Sequence, residues 1–375
     1  MKSIFLITGE PSGDTHASEY VKKHLELNKN IRFSAIGQRY LKNEKVNLIL
    51  NSEEISVVGI VEVLYKYRMI NKALKIAKKY LKDEKPDLVI LVDYVEFNLK
   101  IAKYAKSLDI PVIFYIAPQV WAWRENRIKK IIKTVDHLAV VFPFESEIFK
   151  KFTDNVTYVG HPLADNQSIM GLNVSYEERK YDVGIFPGSR ESEIKNNIYV
   201  MLDAIKTNAK SENSYEKIRI FYANDSAKEV IKKMIPDKFH NLLIDGNNKD
   251  EIRQCRKAIT ASGTITLELA LMMIPMVIVY KLSSITYFIM KKLVKLKFIG
   301  LVNLILGRSL GDSPIVKEYI QPSYHDIIEI MVELQKIDND ESYRLEMMEK
   351  YQKIREILKP GAAKNLANIA ESYIK

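Results

Sequence analysis

Asp93 ends a continuous apolar run, Leu88 to Val92, of the kind that forms the central strand of a parallel sheet. A carboxylate at the C-terminal end of such a strand stands where α/β folds place chemistry, and there it could serve as a general base. It could equally cap the helix that Tyr94-Val95-Glu96-Phe97-Asn98 leads into, and the residues leave the two readings even. A second grouping runs from Lys257 to Tyr280. Ala258 to Ala261 reads as a short buried strand, Ser262-Gly263-Thr264 as a turn, and Ile265 to Met273 as a helix stopped by Pro275. Met276 to Tyr280 then reads as another strand, which completes a βαβ unit. Ser262 or Thr264 can cap the helix, and Gly263 lets a ligand approach the backbone. Free amides and the helix dipole would favour an anion such as a diphosphate, and Glu268, one turn in, could accept two ribose hydroxyls. From this stretch alone an ordinary capped helix with a solvated Glu268 is the simpler reading.

Two more turns have the same form. Ser3 to Thr8 is a strand that runs into Gly9-Glu10-Pro11-Ser12-Gly13-Asp14, with a helix from Thr15. The spacing is not G-x-G-x-x-G, so no dinucleotide fingerprint is supported. Asp182 to Phe186 is a strand, Pro187-Gly188-Ser189-Arg190 a turn, and Glu191 opens a helix. Arg190 at a helix N-terminus suits a phosphate, or else a surface pair with Glu191 or Glu193. His161, in Gly160-His161-Pro162, has the setting of a structural residue.

The elements that must position these groups repeat the strand–helix pattern twice. Ile31 to Ile36, Pro111 to Ile116 and Leu138 to Phe142 add strands to the first half; Ile218 to Ala223 and Leu242 to Asp245 add strands to the second. Asp165 to Lys180, polar throughout, reads as a linker. Both tryptophans, Trp121 and Trp123, precede Arg124 and a basic helix with Arg127, Lys129, Lys130 and Lys133. Such aromatics could stack on bases, lie at a membrane, or pack in a cleft. From Ser283 to Arg308, large apolar residues interleave with Lys291, Lys292, Lys295 and Lys297. That mixture suits a membrane-surface patch or an acyl-chain groove, and a buried helix with snorkelling lysines accounts for it as well. Gly300 to Leu304 reads as a loop, and everything from Ser323 onward as helical.

A chain of 375 residues suggests two domains, and 47% apolar with 28% charged residues describes a globular protein. The lone Cys255 excludes an internal disulfide framework and a multi-cysteine metal site, and fits a reducing compartment. Met1 to Ile7 is too short for a signal peptide, and no apolar run reaches the roughly eighteen residues of a membrane span. A net charge of +10 points to an acidic partner: nucleic acid, an anionic membrane, or a phosphorylated substrate.

The order of the motifs says more than any one of them. Gly9-Glu10-x-Ser12-Gly13-Asp14, Val58-Gly59-Ile60-Val61-Glu62-Val63-Leu64, Asp93-x-x-Glu96-Phe97-Asn98 and Pro118-x-Val120-Trp121-Ala122-Trp123-Arg124 resemble successive motifs of the lipid-A-disaccharide synthases. So do Gly160-His161-Pro162-Leu163, Pro187-Gly188-Ser189-Arg190-x-x-Glu193-Ile194, Ser262-Gly263-Thr264-x-Thr266-Leu267-Glu268 and Asn303-Leu304. The resemblance covers essentially the whole chain, and the Val-Trp-Ala-Trp-Arg run is its most specific part.

It implies an α/β protein of the GT-B fold, with two Rossmann-like βα domains and the active site in the cleft between them. An acceptor-binding domain would span 1–165, a UDP-sugar-binding domain 166–345, and C-terminal helices 346–375 that can pack back on the first domain. The implied reaction is inverting transfer of 2,3-diacylglucosamine from its UDP form onto 2,3-diacylglucosamine 1-phosphate. The product is the β-1,6-linked disaccharide 1-phosphate of lipid A, with UDP released and neither metal nor cofactor required. The resemblance places the protein on the inner face of the cytoplasmic membrane, against anionic lipids, with no nucleic-acid partner; a homodimer is an allowed assembly. It makes Asp93 the general base and matches Arg190, Glu268 and Asn303, with Ser262, Gly263 and Thr264, to UDP-sugar binding. Gly9, Ser12, Gly13, Asp14, Glu62, Glu96, Asn98, Trp121, Trp123 and Arg124 become acceptor or cleft candidates.

Two departures stand out. The motif after Asp93 usually reads Ala/Ser-Pro-Asp-Phe-Asn, where this chain has Tyr94-Val95-Glu96-Phe97-Asn98, and Val302 replaces the proline that usually precedes Asn303. The first alters the loop near the acceptor while keeping a carboxylate at Glu96. The alternatives are another UDP-sugar enzyme of the same fold, such as a 2-epimerase, and a non-catalytic UDP-sugar or lipid-binding protein; an intact Asp93 argues against the latter.

Overall fold

A computed structural model describes residues 1–374 except 10, 45, 53–61, 118–125, 172–173, 207–215, 283–297 and 308–313. The chain forms two compact units, Met1–Asp165 with Leu358–Lys375, and Asn166–Ile357.

The first unit is built on seven parallel strands: β1 (Lys2–Thr8), β2 (Ile31–Gly37), β3 (Asn47–Asn51), β4 (Leu88–Val92), β5 (Val112–Tyr115), β6 (His137–Val140) and β7 (Val156–Tyr158). Their spatial order is β3-β2-β1-β4-β5-β6-β7. β4 lies in the middle with all five residues at 0% exposure, which is why its sequence is a continuous apolar run and not an alternation. Burying side chains of that size stabilises by about 1.5–3 kcal/mol each. The core includes Ala77, Leu81, Phe97, Ile101 and Ile128 from the crossover helices packed with strand residues such as Phe5, Val89, Leu91 and Phe114.

The second unit has six parallel strands: β8 (Tyr181–Phe186), β9 (Ile218–Tyr222), β10 (Leu243–Asp245), β11 (Cys255–Thr260), β12 (Met276–Tyr280) and β13 (Glu318–Ile320). Their order is β10-β9-β8-β11-β12-β13. In both sheets the chain first winds one way from the founding strand and then resumes on its other side. The reversal falls between β1 and β4 in the first unit and between β8 and β11 in the second. Open parallel sheets bind ligands outside the C-terminal ends of the strands at such a switch point.

The segment after Leu358 belongs to the first unit. Asp165 accepts from the amides of Gly361 (2.7 Å) and Ala362 (3.0 Å) and so caps the final helix, Ala362–Tyr373. The buried His24 ring hydrogen-bonds Glu371 across 2.7 Å, and Asn365 donates to the carbonyl of Val159. The break expected after residue 345 falls inside a continuous helix, Glu341–Ile357; the chain changes unit at Leu358, just before Pro360-Gly361, where Gly361 takes φ +97°.

Three edge or near-edge strands, β3, β7 and β13, carry too short an apolar pattern to be read from sequence. The expected loop from Gly300 to Leu304 is instead the start of a helix, Leu301–Gly307, whose side chains from Val302 to Leu306 are buried. Asp165–Lys180, expected as a linker, begins at the last residue of the short helix Pro162–Asp165 and contains another, Gln167–Met170.

Candidate active-site residues

At the switch point of the first unit, Gly9 follows β1 and Asp93 follows β4. A Cβ on Gly9 would stand 2.3 Å from Cγ of Tyr94, so only glycine lets the two loops touch. Asp93 and Tyr94 both take left-handed backbone conformations, φ +49° and +44°. Two consecutive non-glycine residues there cost about 1–2 kcal/mol each. The turn is held from beneath by Asn98, fully buried, whose Nδ2 donates to the carbonyls of Asp93 (2.7 Å) and Val92 (3.3 Å). Tyr94, not Asp93, is the N-cap of the helix Val95–Lys106, and its side chain makes no cap hydrogen bond. The cap reading of Asp93 therefore fails: the left-handed turn sets its half-buried side chain one position ahead of the helix start.

The other candidates of this unit separate. Gly13 is buried, with the site of a Cβ 3.6 Å from Val92, and Ser12 is exposed in the helix Pro11–Leu27. Asp14, expected near the acceptor, is a buried structural carboxylate. It accepts from the amides of Gln38 (2.6 Å), Tyr40 (2.9 Å) and Leu41 (3.4 Å), and from the hydroxyl of Thr8 (3.5 Å), and thereby anchors the short helix Arg39–Asn43. Glu96 is exposed in the first turn of its helix. Glu62 opens the helix Glu62–Glu84, and its side chain lies outside the described residues, as do Trp121, Trp123 and Arg124.

Sequence reasoning gave His161 a structural setting and passed over His16, whose charge bears on it. His161, 6% exposed, accepts from the amide of Leu163 at Nδ1 (3.2 Å) and lies against Phe142, ring centroids 5.0 Å apart. Burial, reinforced by His16, lowers its pKa to about 3, and burial lowers that of half-buried His16 to about 4.

At the switch point of the second unit, the loop after β8 carries Arg190 and the loop after β11 carries Ser262-Gly263-Thr264. The amide of Ala261 donates to the carbonyl of Phe186 (2.8 Å), which ties the two strand ends together. Gly188 has φ +122°, and its turn folds over Glu193, which accepts from the amides of Ser189 (3.2 Å) and Arg190 (3.4 Å). The guanidinium of Arg190 also donates to Glu193 (3.1 Å) while remaining 63% exposed. Buried Asn197 bridges this loop to the end of β12 by donating to Pro187 and accepting from the amide of Lys281.

The helix Thr264–Leu271 starts at Gly263 with no side-chain cap. Of the two expected caps, Ser262 donates its hydroxyl to the carbonyl of Ile299 (2.9 Å), and Thr264 is exposed as the first residue of the helix. A Cβ on Gly263 would meet nothing within 4 Å among the described residues, so none of these crowds the helix start there. Glu268 is not the solvated side chain expected of an ordinary helix: it is 17% exposed and paired with Lys249 across 2.6 Å, and Lys249 also donates to the carbonyl of Gly246.

Asn303 departs most from expectation. It is fully buried, donates to the carbonyl of Val316 (2.8 Å) and to Glu318 (2.7 Å), and accepts from the amides of Ile315 (2.7 Å) and Val316 (3.0 Å). Both donors and both acceptors of its amide are engaged within the protein, so in this structure the side chain clamps the chain at Ile315 and Val316 to Glu318. Glu318, which no motif pointed to, also accepts from the amides of Ile299 (2.8 Å) and Gly300 (2.9 Å), and burial pushes its carboxyl up despite those bonds.

Residues 4–373 match the family model described as lipid-A-disaccharide synthetase. The chain belongs to the lipid-A-disaccharide synthase family. The Coxiella burnetii (strain CbuK_Q154) member is 34% identical over 385 aligned positions, covering 100% of this chain and 99% of its own length. The Geobacter metallireducens member is 37% identical, covering 85% and 84%. Among solved structures, the UDP-GlcNAc 2-epimerase of Neisseria meningitidis bound to UDP-GlcNAc aligns with a TM-score of 0.65 at 14% identity, covering 99% of each chain. MurG of Acinetobacter baumannii aligns at 0.56 and 15%, covering 99% of this chain and 100% of its own. These likenesses show the fold, which is GT-B. Among the described residues no helix is long and apolar enough to cross a membrane, and no three His, Cys, Asp or Glu side chains group as metal ligands.

Proposed function

We propose that the protein joins UDP-2,3-diacylglucosamine and 2,3-diacylglucosamine 1-phosphate into the β-1,6-linked lipid A disaccharide 1-phosphate, releasing UDP. The observation that carries this reading is Asp93 on its strained turn at the switch point of the first unit, in a chain that matches its family from end to end. The first unit takes the acceptor and the second takes the UDP-sugar. Asp93 removes the proton of the attacking hydroxyl as the new C–O bond forms and the bond to UDP breaks. The leaving diphosphate carries the developing negative charge, and Arg190 with the uncapped start of the helix Thr264–Leu271 supplies positive charge and N–H donors to meet it. Glu268, oriented by Lys249, is the group for the ribose hydroxyls.

The protein works at an anionic membrane surface, in keeping with the inner face of the cytoplasmic membrane. The net charge of +10 and the mixture of lysines and apolar residues in 283–297 support that, because each lysine near such a surface contributes about 1 kcal/mol. Purified protein mixed with both lipid substrates should release UDP and yield a disaccharide of the corresponding mass. Consumption of the donor without the acceptor, or formation of an epimer, would favour the 2-epimerase alternative and overturn this reading.

A further inference from the structure

The peptide Ile299–Gly300 lies between two side chains. From one side Glu318 on β13 accepts both amides, Ile299 at 2.8 Å and Gly300 at 2.9 Å. From the other, Ser262 donates to the carbonyl of Ile299 at 2.9 Å. Asn303 holds the carboxylate of Glu318 in place at 2.7 Å and stitches the chain at Ile315 and Val316 to it. Space is tight: a Cβ on Gly300 would stand 2.4 Å from Ile278 and 3.0 Å from Glu318. Glu318 is therefore more than a sheet-edge carboxylate. It grips the only peptide to which the hydroxyl of Ser262 is bonded among the described residues, and Ser262 begins the turn at the helix start.

We propose that Glu318 is a positioning residue of the UDP half-site, setting the Ser262-Gly263-Thr264 turn through the Ile299–Gly300 peptide. The proposal rests on the reading that this turn meets UDP. It also gives Asn303 a part in donor binding without ligand contact, as the residue that orients Glu318.

The test is a thermodynamic cycle on UDP affinity, measured by titration calorimetry with the full-length protein and UDP alone. Glu318→Gln keeps the shape but sets an N–H2 where a carboxylate oxygen accepted a backbone amide. It should weaken UDP binding about tenfold, corresponding to the loss of one or two hydrogen bonds. Ser262→Ala should weaken it to a similar degree, and the double variant should be no worse than the weaker single one, because both act along one path. In the transfer reaction Glu318→Gln should raise KM for the UDP-sugar while kcat stays within about twofold. Additive losses, or a drop in melting temperature with unchanged UDP affinity, would overturn the proposal.

A measurement on the unaltered protein covers the case in which Glu318→Gln does not fold. UDP should slow amide hydrogen exchange at Ile299 and Gly300 together with Gly263 and Thr264, and protection confined to 263–264 would overturn the proposal. Arg190→Ala separates the two levels of the argument. If it weakens UDP binding while Glu318→Gln and Ser262→Ala do not, the positioning role fails and the donor reading stands. If none of the three matters, the donor reading fails with it.

Discussion

Replacing Asp93 by asparagine separates chemistry from architecture at one atom. Asparagine has the same size and tolerates the left-handed backbone that Asp93 adopts at φ +49°. The bonds that hold the turn, from Asn98 to the carbonyls of Asp93 and Val92, involve the backbone and are untouched. Asparagine also keeps a hydrogen-bond acceptor at the same place, so stability should change by less than about 1 kcal/mol, or about 2–4 °C in melting temperature for a unit of this size. The amide cannot take a proton. Positioned bases contribute about 10²–10⁴-fold in rate, so kcat should fall at least about a hundredfold, equivalent to about 2.7 kcal/mol in the barrier. UDP affinity should stay within about twofold. Asp93→Ala makes the complementary test: it removes the same base and also places an ordinary Cβ residue in a left-handed turn, costing about 1 kcal/mol more stability than asparagine. Initial rates of UDP release under saturating substrates, alongside thermal unfolding and UDP titration, read all three quantities. A fully active Asp93→Asn protein would refute the base assignment, and a large loss of stability in that variant would refute the claim that Asn98 holds the turn.

Arg190→Ala should lower UDP affinity at least about tenfold, because a phosphate-bound guanidinium contributes about 1.5–3 kcal/mol, yet leave unfolding nearly unchanged, since its pair with Glu193 is solvent-exposed on the arginine side. Unchanged UDP binding removes Arg190 from the site. Asn303→Ala should lower the melting temperature by about 10 °C, because it strands the buried amides of Ile315 and Val316 and costs about 3–5 kcal/mol; a melting temperature within 2 °C of the parent, on the scale expected for about 0.5–1 kcal/mol, would contradict the clamp. His161 gives a pH signature. Its folded pKa of about 3 lies below the unfolded value near 6.5, so the unfolded chain binds a proton that the folded one refuses, and stability falls as pH drops through that window by up to about 1.4 kcal/mol per unit. His161→Gln should flatten that part of the curve between pH 6.5 and 4, on the scale set by the ordinary histidine value, and parallel curves for the two proteins would show that the ring is not kept neutral.

The amino-acid sequence by itself determined the class of fold and the strand ends at which its turns fall. Continuous apolar runs such as Leu88–Val92 and Met276–Tyr280 suit strands buried on both faces of a parallel sheet, and Asp93 after the first and Pro275 before the second mark a boundary of each. These are local properties, legible over a few residues. Motif order carried the family as well, because it survives changes within individual motifs such as Tyr94-Val95-Glu96. What a side chain does with its hydrogen bonds is not local. Asn303 meets Ile315, Val316 and Glu318 across a separation of 12 to 15 positions, and Ser262 meets Ile299 across 37. Asp14 is spent on amides 24 to 27 positions away, and Glu268 on a lysine 19 positions before it. Glu318 sits in an unremarkable short strand, and only the folded chain gives it three N–H groups to accept. A residue's type states what bonds it can make. Which ones it has left for a ligand depends on which distant backbone groups the fold has already brought to it, and that was decided by the tertiary structure.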